Sequence, residues 1–156
     1  MDNIKISDMS ILDLENISDK LASEFDDFWT VSTLKSELQN PNSRYIVAKL
    51  NDEIVGFGGI WKAVDDIHVT NIVVKKNYRK QNIATIILDN LIDISKKQDI
   101  TSITLEVNCT NLPALKLYEK FGFKKVGLRK KYYNNTDDAI IMTKNLADVN
   151  YKSWHQ

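Results

Sequence analysis

An α/β fold (α+β in some schemes) is predicted, with a mixed central sheet of about six or seven strands flanked by about four helices. Three observations lead there. Two β-rich runs, RYIVAKL and EIVGFGGIW, flank the two-residue turn Asn51-Asp52, the pattern of an antiparallel hairpin. A strand ending near Val74, a helix from Ile83 and a strand from Ile103 follow in order, which makes one βαβ crossover with parallel strands. Two more strands come after a further helix, so both pairing senses share the sheet, with helices on both of its faces.

Each element has its own local reason. Ile4 and Ile6 alternate and read as a short strand. Ser10, with Asp13 three residues on, forms an acidic variant of the capping box. Ile11, Leu14, Ile17, Leu21 and Phe25 then recur at helical spacing, which predicts a helix over 11–24. A shorter helix is expected from Ser32 to Leu38, ended by Pro41 and Asn42. After the hairpin, Ile67 opens a third strand that runs through VTNIVV, and the basic loop KKNYRKQN follows. Ala84, Ile87, Leu88, Leu91 and Ile94 line one face of a helix from Ile83 to Lys96. ITLEVNC (103–109) alternates, with Ile103, Leu105, Val107 and Cys109 on one face and Thr104, Glu106 and Asn108 on the other. The next helix opens near Asn111, carries Pro113 in its first turn and stops at Gly122. The last strands are expected near 123–129 and 138–145, with the tyrosine-rich KKYYNNTDD as a loop between them.

Composition narrows the function. The 156 residues fit one domain, read as 1–146, with the aperiodic ADVNYKSWHQ (147–156) as a tail. Hydrophobic residues make up 43%, enough for a core, and Lys plus Arg (21) equal Asp plus Glu (21). A nucleic-acid binder usually carries a basic excess, so none is expected as a partner. One cysteine, Cys109, excludes an internal disulfide and favours a reducing compartment. The first sixteen residues lack a signal-peptide pattern and no apolar run is long enough to span a bilayer. A cytoplasmic protein, monomeric or weakly dimeric, is the expectation. No metal-ligand spacing is present.

The chemistry concentrates where the basic loop meets the helix at Ile83. The first N–H groups of a helix have no internal partners, and its dipole is positive at that end. A phosphate placed there satisfies both, and Arg79 and Lys80 add charge. The same residues also suit a solvated surface loop, and the loop alone leaves both readings open.

Two separated motifs resemble the GNAT N-acetyltransferase superfamily. YRKQNIAT (78–85) is similar to its acetyl-CoA motif Q/R-x-x-G-x-G/A, with Arg79 first, Ala84 last and Asn82 where glycine is usual. Asparagine is the residue next most tolerant of left-handed angles, so the loop is expected to keep its shape. LEVNCTNLPALKLYEKFGFKKVG (105–127) is similar to the family's later strand and its N-x-x-A-x-x-L-Y-x-x-x-G-F helix, matching at Asn111, Ala114, Leu117, Tyr118, Gly122 and Phe123. FWTVSTLKSEL (28–38), NIVV (71–74), LEV with NCTN (105–111) and KKYYNNTDDAIIM (131–142) resemble the RimI-like N-terminal acetyltransferases, although Phe28 stands where that pattern often has proline.

The resemblance implies acetyl-CoA as co-substrate and a protein N-terminus as acceptor, the N-terminal alanine of a ribosomal protein among that group's substrates. It implies coenzyme contacts from Ile72, Val73 and Val74 as a strand edge, from Arg79, Lys80, Gln81, Asn82, Ile83, Ala84 and Thr85 around the pyrophosphate, and from Asn111 and Tyr118. Asn111 also suits a helix N-cap. Only a neutral amine attacks a thioester, and an α-amine titrates near 7.7–8.0 against about 10.4 for lysine, so a modest base suffices for an N-terminus. RimI-like enzymes carry a glutamate at the position of Glu106, which implies the general base; alternation alone gives an ordinary carboxylate on a strand face. Tyr118 matches the general acid for the departing thiolate; its apolar helix face also suits a core tyrosine. Trp29, Tyr132 and Tyr133 are acceptor-side candidates, and Trp29 equally suits a core anchor. Two alternatives remain at this point: acetylation of a small amine or lysine side chain, and a non-catalytic acyl-CoA-binding domain suggested by Asn82.

Overall fold

The computed structural model describes residues 3–26, 29–133 and 136–146. Seven strands and four α-helices follow in the order β1 (Ile4–Asp8), α1 (Ile11–Ile17), α2 (Val31–Gln39), β2 (Ser43–Leu50), β3 (Glu53–Ala63), β4 (Asp66–Val74), α3 (Ile83–Lys96), β5 (Ser102–Asn108), α4 (Leu112–Lys120), β6 (Lys124–Tyr133) and β7 (Asp137–Asn145). The strand order is β1-β2-β3-β4-β5-β7-β6. β4 and β5 are parallel, as the crossover requires, while β1/β2, β2/β3, β5/β7 and β6/β7 are antiparallel. The mixed sheet expected from the sequence is therefore present. Among the described residues no helix is long and apolar enough to cross a membrane.

By internal contacts the chain forms two compact units, one of Met1–Lys62 with Thr70–Ile94, the other of Ala63–Val69 with Ser95–Gln156. In the first, Val47 and Phe57 face each other across the hairpin and join Leu14, Leu21, Phe25 and Leu34 in one core. The opposite face of β2 and β3 takes α3. There Gly56 and Gly58 leave room for Ile83, Ile87 and Leu91, and an added Cβ would come within 2.7–3.3 Å of these side chains. Tyr45 lies across Gly59, where a Cβ would come within 2.4–2.5 Å of its ring carbons, and its hydroxyl meets Thr70 Oγ1 at 2.9 Å. The hairpin turn holds Asn51 and Asp52 at φ 51° and 69°, as a type I′ turn requires.

The second unit packs α4 with β5, β6 and β7. β5 alternates as expected, with Ile103, Leu105 and Val107 buried and the residues between them half-exposed. Asn111 caps α4 by accepting from Ala114 N–H at 3.2 Å, and Gly122 ends it at φ 91°.

Three expectations need correction. The helix predicted over 11–24 is two pieces: α1 ends at Ile17, and a π-turn covers Leu21–Phe25, closed by Asp26 N–H on Leu21 O. Leu21 and Phe25 stay four apart in either helix type, so periodicity runs through the break. Residues 130–133 of the tyrosine-rich stretch are strand rather than loop, because β6 continues through Tyr133. Cys109 does not continue the apolar face of the strand: it lies in the turn after β5 and is half-buried.

Candidate active site

In the first unit, the loop after β4 is fastened from below. Lys75 N–H continues the strand by donating to Val55 O at 2.8 Å. The Lys75 ammonium, nearly enclosed, donates to Glu53 Oε2 at 2.7 Å and pairs with Glu24 Oε1 at 3.3 Å. Tyr78 donates its hydroxyl proton to Glu53 Oε1 at 3.0 Å. That hydrogen bond from Lys75 holds the Glu53 carboxyl below the usual carboxylate range, and Glu53 in turn raises Lys75.

Arg79 is tied into the loop through its guanidinium. Its Nε donates to Val74 O at 3.1 Å and its Nη2 to Phe25 O at 2.8 Å. These guanidinium donors clamp the loop to the end of the π-turn. Lys80, Gln81 and Asn82 form the exposed crest. Both Lys80 and Asn82 take φ 65°, so Asn82 holds the left-handed backbone that glycine would hold. Asn82 O accepts the first i→i+4 bond of α3, from Ile86 N–H at 3.1 Å. The N–H groups of Ile83, Ala84 and Thr85 precede it. An exposed crest with left-handed backbone, a lysine and a helix start together suit a pyrophosphate. The left-handed Lys80 has no sequence signal. Nor has Asn71, just before Ile72–Val74, whose buried carboxamide lacks a hydrogen-bond partner among the described residues.

In the second unit, β5 presents Glu106 half-exposed, opposite in sense to its buried neighbours Leu105 and Val107. Its Oε1 lies 2.8 Å from Arg129 Nη2. The same guanidinium lies over the Tyr132 ring, 4.8 Å from its centroid, in cation–π range. Arg129 was not among the sequence candidates. Tyr118 is half-buried on α4, its ring edge-on to the enclosed Phe123 at 5.9 Å and 63°. Asn108 Nδ2 donates to Asp137 Oδ2 at 3.1 Å, and Asn108 Oδ1 accepts from the Thr110 N–H and hydroxyl. His68, on β4, pairs with Asp66 at 3.1 Å.

The second unit therefore holds Glu106, Asn111, Tyr118 and Tyr132, and the first holds Ile72–Val74 and Arg79–Thr85. Trp29, like Leu38, packs against the first unit's core, as the anchor reading expects. The Tyr133 side chain, Phe28 and the 147–156 tail lie outside the described residues.

Comparison with known proteins identifies the family. The model of the acetyltransferase (GNAT) family matches residues 14–123. A Bacillus subtilis protein, named provisionally as a ribosomal protein bS18-alanine N-acetyltransferase, is 35% identical over 139 residues, 88% of this chain and 92% of its own. The ribosomal protein bS18-alanine N-acetyltransferase of Escherichia coli K12 is 34% identical over 119 residues, 73% of this chain and 78% of its own. The crystal structure of the Escherichia coli ribosomal-protein-S18-alanine N-acetyltransferase superposes with a TM-score of 0.84 at 27% identity, covering 92% of this chain and 94% of that one. The chain therefore belongs to the GNAT acetyltransferase family, as an acetyl-CoA-dependent N-acetyltransferase.

Proposed function

We propose that this chain acetylates the α-amine of a protein N-terminus, and that the N-terminal alanine of ribosomal protein bS18 is its acceptor. The observation that carries the reading is the 35% identity to a relative of that name along 88% of the chain. Residues 1–146 act as one GNAT domain, in the cytoplasm. Acetyl-CoA supplies the acyl group, activated as a thioester. The edge of β4 at Ile72–Val74 pairs with the pantetheine arm, and a backbone N–H there steadies the thioester oxygen as negative charge develops. Lys80, Asn82 and the N–H groups of Ile83–Thr85 hold the pyrophosphate, while Arg79 keeps the loop in shape through its two carbonyl contacts. Asn111 adds a contact near the pantetheine while capping α4.

Glu106 takes the proton that leaves the attacking nitrogen, directly or through one water. Tyr118 gives its phenolic proton to the departing sulfur and regains one from solvent. An α-amine needs less help than a lysine by about 2–3 pKa units, or roughly 3–4 kcal/mol, which fits a carboxylate as base. Trp29, Tyr132 and Tyr133 flank the acceptor peptide. Asn82 keeps the left-handed backbone that glycine would hold, which supports coenzyme binding by this loop.

A peptide panel with acetyl-CoA tests the reading by following thiol release. Peptides beginning with the bS18 N-terminal sequence should turn over, and prior N-acetylation should abolish the signal. Equal rates on internal lysines would sink the N-terminal assignment.

A further inference from the structure

We propose that Arg129 is a positioning residue for Glu106, reaching across β7 to fix the carboxylate and tie it to Tyr132. The inference rests on the reading of Glu106 as the base. Register supplies the path. Arg129 pairs with Ala139 of β7, and Ala139 pairs with Asn108 of β5. Residues directly opposite on an antiparallel ladder project from the same face. Arg129, Ala139, Asn108 and Glu106, two residues along β5, therefore share one face. Strands lie about 4.8 Å apart, so the guanidinium has to span β7 entirely to reach β5. The reach is diagonal, between Ala139 and Ile141, which pairs with Glu106, and the fully buried Ala139 leaves it the smallest side chain bearing a Cβ on one side.

The end of the reach is fixed twice. One guanidinium nitrogen meets Glu106 at 2.8 Å, and the plane lies 4.8 Å from the Tyr132 centroid. With 54% of the Arg129 side chain exposed, such a pair returns little stability for the rotamer freedom it removes. Its geometry does more. A rigid fork stacked on a ring sets the direction from which it grips a carboxylate. Asp137 carries charge on the same face, where it accepts from Asn108 Nδ2 at 3.1 Å. Arg129 narrows the rotamers open to a half-exposed glutamate, and a misplacement of about 1 Å can lower a rate about 100-fold.

A double-mutant cycle on the full chain tests this, with kcat and KM measured for acetyl-CoA and for an alanine-initiated peptide. Arg129→Gln should lower kcat by about tenfold or more and leave KM for acetyl-CoA unchanged. Arg129→Lys, which keeps the charge but loses the fork and the stack, should fall between Gln and the parent. In a Glu106→Gln background, Arg129→Gln should change kcat by no more than about twofold, because its effect passes through Glu106. Additive losses, or a loss confined to KM for the peptide, overturn the proposal. Melting temperature is followed for every variant, and Arg129→Lys carries the test if the Gln variant does not fold. If Glu106→Gln alone keeps the parental kcat, the base assignment fails and Arg129 with it. If Glu106→Gln is slow but Arg129→Gln is not, only the present inference fails.

Discussion

At the scale of single residues, Tyr118 and Asn82 separate chemistry from shape. Tyr118→Phe removes the phenolic proton but keeps the ring that packs edge-on against Phe123. We expect kcat to fall by about 100-fold or more, with the melting temperature nearly unchanged. A large drop in melting temperature with retained kcat would mark Tyr118 as a core residue only. Asn82 sits at φ 65°, where a β-branched side chain is strained by about 1–2 kcal/mol. Asn82→Val should therefore lower both stability and coenzyme affinity, while Asn82→Gly should tighten acetyl-CoA binding or leave it unchanged, as read by calorimetry. The asparagine was legible in the sequence because its side-chain chemistry announces its backbone tolerance. Arg129 was not. Its meeting with Glu106 depends on a register that crosses an intervening strand, and no local spacing encodes that.

At the scale of elements, the loop from Lys75 to Asn82 depends on the Lys75–Glu53 pair beneath it. Lys75 donates to Glu53 and lowers its folded-state pKa below the ordinary 4.5. A depressed carboxyl stabilises the fold above its unfolded value, and that contribution is lost as pH falls through the folded one. Glu53 raises Lys75 above 10.5, so its share is full below that value and fades above it. The melting temperature of the parent should exceed that of Glu53→Gln by a constant amount between about pH 6 and pH 9. The gap should close as pH falls below 4.5; a gap that persists at pH 3 would show that Glu53 acts through packing instead. Elements with strong periodicity were readable: α3, the hairpin and β5 lie within a residue or so of expectation. The break after Ile17 was not, since Ser18 and Lys20 turn the chain through bonds to Glu15 and Ile17 without disturbing the apolar spacing. Nor was the length of β6, the last strand in the sheet order, because its lysines and tyrosines read as a loop. Charged, exposed residues are what an edge strand carries to deter pairing.

At the scale of the whole molecule, coenzyme binding and stability are linked. A ligand that binds the folded state alone, at 100 times its Kd, adds about 2.7 kcal/mol. Acetyl-CoA at that excess should raise the melting temperature by several degrees, and hydrogen exchange should slow at Ile72–Val74 and Ile83–Thr85. Protection confined to other segments would displace the coenzyme from this loop. The fold class, the crossover and the family were legible from two motifs in order, because each combines backbone geometry with chemistry. The cross-strand network of the second unit was visible only once the strands were paired.

The lie of Tyr45 over Gly59 carries a consequence for descent rather than for energy. An alanine at 59 would come within 2.4–2.5 Å of the Tyr45 ring carbons, so the ring would have to shift and carry its hydroxyl away from Thr70. Lineages that replace this glycine must therefore also replace the tyrosine, and positions 45, 59 and 70 should change as a set among relatives. In an aligned family, that three-way dependence would mark this corner of the hairpin as one inherited unit.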